Sequence, residues 1–150
     1  MTYNLFMRPP FVKTNASDFK EDRLREFVKR IHEFDIVCCQ ELFSTLNSRK
    51  QRLIAYAKKA GFIYHAVCDP PSLLSGYVTD GGLLILSRFP IVEAEFCPYP
   101  YGVLSDAISF KGVLYAKIAF SSEGKILHLF NTHTQASYFG GDTAEFVIYS

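Results

Sequence analysis

Residues 126–137 read ILHLFNTHTQAS. The run from Ile126 to Phe130 is apolar enough for a buried β-strand, yet it finishes in Asn131, Thr132, His133, Thr134 and Gln135. A strand that has only to turn can end in any turn sequence, whereas this one presents hydroxyls, carboxamides and an imidazole. Two further apolar runs carry polar groups in the same manner. TYNLFM (2–7) holds Asn4, and FDIVCCQEL (34–42) ends in Gln40 and Glu41. Layered α/β folds form ligand sites beyond strand ends, where loops diverge. A carboxylate, a carboxamide and an imidazole gathered there suit a hard divalent cation and a phosphate. Magnesium takes oxygen ligands and keeps waters, so one or two carboxylates suffice. The imidazole can donate to charge developing on a phosphoryl oxygen, or move a proton. Each residue also has a plainer reading: His133 as a satisfied strand-end residue, Glu41 as an ordinary loop carboxylate, Asn4 as a backbone partner. Only the joint pattern carries weight.

The 150 residues suit one domain with a real core. Hydrophobic residues make up 49%, charged residues 21%, and the net charge is +1, which describes an ordinary globular chain. That balance gives no support for broad electrostatic capture of nucleic acid, although it leaves room for a local basic patch. The apolar runs are too short for a transmembrane helix, and no charged-then-apolar leader with a cleavage site is present. A cytoplasmic or peripheral-membrane location is the expectation. Cys38, Cys39, Cys68 and Cys97 form no CxxC pair and are expected as buried, reduced thiols.

Outward from the three strand ends, the chain alternates strands and helices and then turns mainly to strands. In SDFKEDRLREFVKRIHEFD (17–35), Leu24, Phe27, Val28 and Ile31 recur at helical spacing, with Asp18 and Glu21 as an acidic capping box. A second helix is expected over about 46–60, with Leu46, Leu53, Ala57 and Ala60 inward and Gly61 as its stop. Its Arg49, Lys50, Arg52, Lys58 and Lys59 read as a solvated face. Strands are expected at 62–68, 82–87, 91–97, 112–120 and 125–131, with RFP (88–90) and SSEG (121–124) as hairpin turns. DPPSLLSGYVTD (69–80) reads as a long functional loop. A further helix begins at DTAEFVIYS, the last nine residues.

Five segments in order, TYNLF, DIVCCQELF, GGLLILSRFPI, KGVLYAKIAF and LHLFNTHTQAS, resemble the endonuclease/exonuclease/phosphatase superfamily. Within it the chain is most similar to neutral sphingomyelinases, through KGVLYAKI and NTHTQA. The resemblance implies an α/β (α+β) deoxyribonuclease-I-like fold, a four-layer α/β/β/α sandwich, and Mg²⁺-dependent hydrolysis of sphingomyelin to ceramide and phosphocholine. It implies Glu41 as the main Mg²⁺ ligand, with Asn4 beside it orienting ligand or water. His133 would face a non-bridging phosphate oxygen, and Asn131 would help to shape that turn. Asp80 becomes a candidate to orient His133 and hold its charge, against the plain reading of a turn aspartate before two glycines. Lys111 and Gly112 match a segment near the phosphate, against the plain reading of a strand-opening surface lysine. The apolar residues of PPSLLSGYV (70–78), Leu73, Leu74, Tyr77 and Val78, either dip into a membrane surface or pack on their own domain.

The pattern departs from the family after His133. Members carry a Gly-Asp-x-Asn segment and an Asp-His pair further on. Here GGDTAEF has a Gly-Asp pair without the Asn, and His32, His65 and His128 read as structural. The chain is therefore expected to be the N-terminal portion of a single catalytic domain, truncated after its first sheet and helices. A bare inner sheet face would then make it poorly soluble or self-associating alone, and without the later motifs it is expected to be inactive. The alternatives are a nuclease of the same superfamily, or an inactive fragment or interaction module.

Overall fold

The computed structural model describes residues 1–10, 18–72, 74–100, 108–120 and 124–134. Leu73, the GGDTAEF segment and the helix expected at the chain's end lie outside them. In order, the elements are β1 (Thr2–Met7), α1 (Lys20–Arg30) running into a 3₁₀ turn (Ile31–Glu33), β2 (Ile36–Leu42), α2 (Arg49–Lys59), β3 (Tyr64–Val67), β4 (Leu84–Ser87), β5 (Ile91–Pro98), β6 (Gly112–Ala119) and β7 (Ile126–Thr132).

The strands form two sheets, ordered β1-β2-β4-β3 and β5-β6-β7. β1 and β2 run parallel, with Asn4 opposite Gln40, and the other pairings between these strands are antiparallel. Alternation along the strands sorts the apolar residues between two cores. Val37, Cys39, Leu84 and Leu86 point outward from the first sheet and meet Leu24, Phe27 and Ile31 of the first helical segment, and Leu53 and Ala57 of α2. Cys38, Ala66, Leu83 and Ile85 point the other way and meet Leu114, Ala116 and Ile118 of β6. The architecture is an α+β sandwich with helices on the first sheet and two sheets face to face.

Several expectations are corrected. The strands build a second sheet as well as a first, so the first sheet's inner face is covered by β5–β7 and the ground for self-association through a bare face is removed. Residues 88–90 are a step between sheets rather than a hairpin turn, because β4 and β5 belong to different ones. The α1 N-terminus shows no side-chain cap; Asp18 is paired with Lys20 and Arg23, which hold its carboxyl below the usual range. Leu46 lies ahead of α2 and is exposed. Arg49 and Lys50 are buried, so the solvated face is confined to the remaining basic residues of α2. All four thiols are free, but Cys97 is exposed.

Candidate active site at the sheet ends

The ends of β1, β2 and β7 meet at one point, and the backbone there leaves regular geometry. The β1–β2 register shifts between Asn4 and Met7, where Phe6 sits at φ 53°, and Glu41 near the end of β2 also sits at φ 53°. Left-handed backbone in residues other than glycine is strained and persists where surrounding structure over-determines it, often at functional sites. Here the restraints are visible. Arg23 donates to the carbonyls of Leu5 and Phe6, at 2.6 and 3.0 Å, which fixes the bulge. The Leu42 N–H donates to the Gly82 carbonyl at 2.9 Å. Gly82, itself at φ 67°, lies so close that a Cβ there would stand 3.2 Å from Glu41 Cα and 3.0 Å from the Phe43 ring.

The result is an oriented carboxylate. Asn4 Nδ2 donates to Glu41 Oε1 at 2.8 Å, while Asn4 Oδ1 accepts from the Phe6 N–H at 2.9 Å, which sets the amide's direction. His133 brings Nε2 to 3.5 Å from the same Glu41 oxygen. Arg8 brings Nε to 3.7 Å from the other, Oε2, and lays its guanidinium over the Phe6 ring, 4.2 Å from the centroid. Glu41 itself is 8% exposed. The structure thus gathers Asn4, Glu41 and His133 and adds Arg8, which sequence reasoning missed; the only sequence signal was a basic residue four positions past Asn4 on the same strand end.

The other expected residues stand around this point with different partners. Asn131, buried at 3%, donates Nδ2 to the carbonyls of Cys39 and Leu84, at 3.0 and 3.2 Å, and accepts from Gln40 Nε2 at 2.6 Å. Its amide is spent on bolting β7 to the first sheet, directly behind His133. Lys111, also buried, donates to the Thr134 carbonyl at 3.1 Å and so holds the backbone just past His133. Gly112 is required by packing: a Cβ there would meet the Cys97 carbonyl at 2.3 Å. Its own carbonyl accepts from Thr132 Oγ1 at 3.0 Å.

Asp80 is placed one layer back. Oδ1 accepts from the Ser44 N–H at 3.1 Å, Oδ2 accepts from Ser44 Oγ at 3.0 Å, and Lys50 Nζ is paired with Oδ2. Cys68 Sγ lies 3.8 Å from the same oxygen. These contacts pin the loop that leaves Glu41, and they commit the Asp80 charge to Lys50. In the 69–80 loop, Tyr77 packs against Phe110 with centroids 5.0 Å apart, while Leu74 is 96% exposed.

A sequence profile described as the Endonuclease/Exonuclease/phosphatase family matches residues 1–142. A sphingomyelinase of Dictyostelium discoideum is 42% identical over 131 residues, covering 83% of this chain and 28% of its own. Sphingomyelinase C from Streptomyces griseocarneus superposes with a TM-score of 0.76 at 27% identity, over 96% of this chain and 51% of its own. The beta toxin of Staphylococcus aureus, in a crystal structure with bound magnesium ions, gives 0.68 at 24% identity over 90% and 48%. The chain therefore spans about half or less of the length of these relatives. With the expected motifs folded as a deoxyribonuclease-I-like sandwich, the chain belongs to the endonuclease/exonuclease/phosphatase family.

Proposed function

We propose that this chain supplies the metal-and-phosphate wall of a Mg²⁺-dependent sphingomyelin phosphodiesterase, which releases ceramide and phosphocholine. The observation that carries it is the convergence of Asn4 and His133 on the buried Glu41 carboxylate. Among the described residues there is no cluster of three His, Cys, Asp or Glu side chains for a metal. The donor chemistry fits magnesium all the same, since a single carboxylate with retained waters is a usual set for that ion. Glu41 would be the ligand. Asn4, whose oxygen is engaged by the Phe6 N–H, acts as a positioning residue that fixes the carboxylate. When bound, the ion would polarise a phosphoryl oxygen and neutralise charge as it builds.

The chain's own residues supply the rest of this wall. His133 donates from Nε2 to a non-bridging oxygen as a water oxygen bonds to phosphorus and the bond to the ceramide oxygen breaks, the proton lost by that water ending on the ceramide oxygen. Lys111, through Thr134, and Asn131, through the first sheet, fix the backbone on either side of that histidine, so the donor is aimed before substrate arrives. Leu74, at 96% exposure, and the exposed Val78 are apolar side chains of the 69–80 loop, among the described residues, that can enter a lipid surface. No helix among the described residues is long and apolar enough to cross a membrane.

The test is hydrolysis of sphingomyelin in mixed micelles by the full-length protein, with Mg²⁺ or with chelator. Glu41→Gln should abolish the Mg²⁺-dependent rate, and His133→Asn should lower kcat by on the order of 10²–10³-fold. Cleavage of DNA with no hydrolysis of sphingomyelin would replace this reading with the nuclease one.

A further inference from the structure

Arg8 occupies the oxygen of Glu41 that Asn4 and His133 leave open. Its Nε stands 3.7 Å from Oε2, too far for a hydrogen bond, so the contact is coulombic rather than a bidentate fork. The backbone beneath it is pinned, because the Arg8 carbonyl accepts from Nη2 of the buried Arg49 at 3.0 Å. The side chain is 34% exposed and stacks on Phe6, so the guanidinium rides on a ring at the rim of the site rather than being locked inside it. A hard dication on Glu41 and a guanidinium against the same carboxylate repel each other at this range. The two occupants therefore exclude one another at Oε2. A guanidinium displaced from Glu41 would keep its stack on Phe6, on the Oε2 side of the carboxylate, whereas His133 stands at Oε1. A phosphate brought to a metal on that carboxylate would come within its reach, and the planar fork of arginine matches two phosphate oxygens.

We propose that Arg8 is a substrate-binding residue with two alternative partners: Glu41 while no metal is bound, and a phosphate oxygen of the substrate once Mg²⁺ has displaced it. The inference rests on the reading of Glu41 as the Mg²⁺ ligand. Metal entry and phosphate capture are then coupled through one side chain, since each Mg²⁺ that binds frees a cation for the anion that follows.

The test titrates the full-length protein by calorimetry at fixed ionic strength, first with Mg²⁺ alone and then with phosphocholine at saturating Mg²⁺. Wild type, Arg8→Met, Arg8→Lys and Glu41→Gln are compared, with thermal melts to confirm that each folds. Arg8→Met should bind Mg²⁺ about tenfold more tightly and phosphocholine about tenfold more weakly than wild type. Arg8→Lys should restore the wild-type Mg²⁺ affinity while recovering little of the phosphocholine affinity, because it returns the charge without the fork. Unchanged or weaker Mg²⁺ binding by Arg8→Met, or undiminished phosphocholine binding, overturns the Arg8 proposal and leaves the metal reading standing. Unchanged Mg²⁺ binding by Glu41→Gln overturns the metal reading, and this one with it.

Discussion

Replacing Lys50 by Met should be among the most damaging single changes to the fold. The Lys50 and Asp80 side chains are 6% and 4% exposed, and neither has water to fall back on. Removing one partner of a buried pair costs about 3–5 kcal/mol, because the remaining charge is left uncompensated. Asp80 would keep its two hydrogen bonds from Ser44, which places the expected loss near 3 kcal/mol, the low end of that range. Domains of this size have about 5–15 kcal/mol in total, so the loss is a large fraction. Adding Asp80→Asn to Lys50→Met removes the orphaned charge. The amide oxygen can still accept from the Ser44 N–H and its nitrogen can donate to Ser44 Oγ. The double variant should therefore recover to within about 1–2 kcal/mol of wild type, a coupling characteristic of a true pair. Urea unfolding followed by far-ultraviolet circular dichroism reads this directly, and is the right probe because the chain has no tryptophan. A Lys50→Met variant costing less than about 1 kcal/mol, or a double variant as damaged as the sum of its singles, would refute the reasoning.

Four further outcomes follow from other sites. Gly112→Ala should destabilise by about 1–3 kcal/mol, measured in the same urea titration, since its Cβ would have to displace the Cys97 carbonyl 2.3 Å away. Asn131→Leu should cost a similar about 1–3 kcal/mol by leaving the Cys39 and Leu84 carbonyls and the Gln40 amide without that partner. Leu74→Ser should lower hydrolysis of sphingomyelin in vesicles while sparing a water-soluble phosphodiester, assayed side by side. Burial raises the thiol pKa of Cys38, Cys39 and Cys68 above 9.0 in the folded state. The unfolded chain therefore loses those protons first, and stability present below about pH 9 should fall as pH rises past it, by up to about 1.4 kcal/mol per thiol per pH unit. Urea midpoints that hold constant from pH 8 to pH 10 would contradict that.

What the sequence disclosed and what it withheld divide along the range of the interactions. Leu24, Phe27 and Ile31 were legible because helical spacing alone puts them on one face, and all three are buried. The same local logic misread Arg49 and Lys50. Their burial is decided by the Arg8 carbonyl 41 residues away and the Asp80 carboxylate 30 residues away, which no window of sequence contains. Asp18 fits a capping pattern, but Lys20 and Arg23 claim its carboxylate instead. A three-residue connection such as 88–90 reads alike whether the chain doubles back within a sheet or steps across to the next. Only the pairing of β4 with β2 and β3 decides it. Around the candidate site, Asn4, Glu41 and His133, which the structure brings together, stand out in the sequence as polar residues in or just past apolar runs; Asn131 and Asp80 bond to distant framework groups that no local pattern announces, and Arg8 gave no periodic signal at all.

Glu41 lies on a strand of the first sheet and His133 directly follows a strand of the second, so the side chains between those sheets, together with the Asn131 bonds, set their separation. Leu114, Ile118 and Ile85, all in the core between the sheets, act as shims. Packed interiors give little and collapse unevenly when a methylene is removed, so a cavity there would reach the candidate site as a displaced imidazole. On the proposed reading, a conservative core change such as Ile118→Val should leave the protein folded and still register in an assay as a lesion of the candidate site.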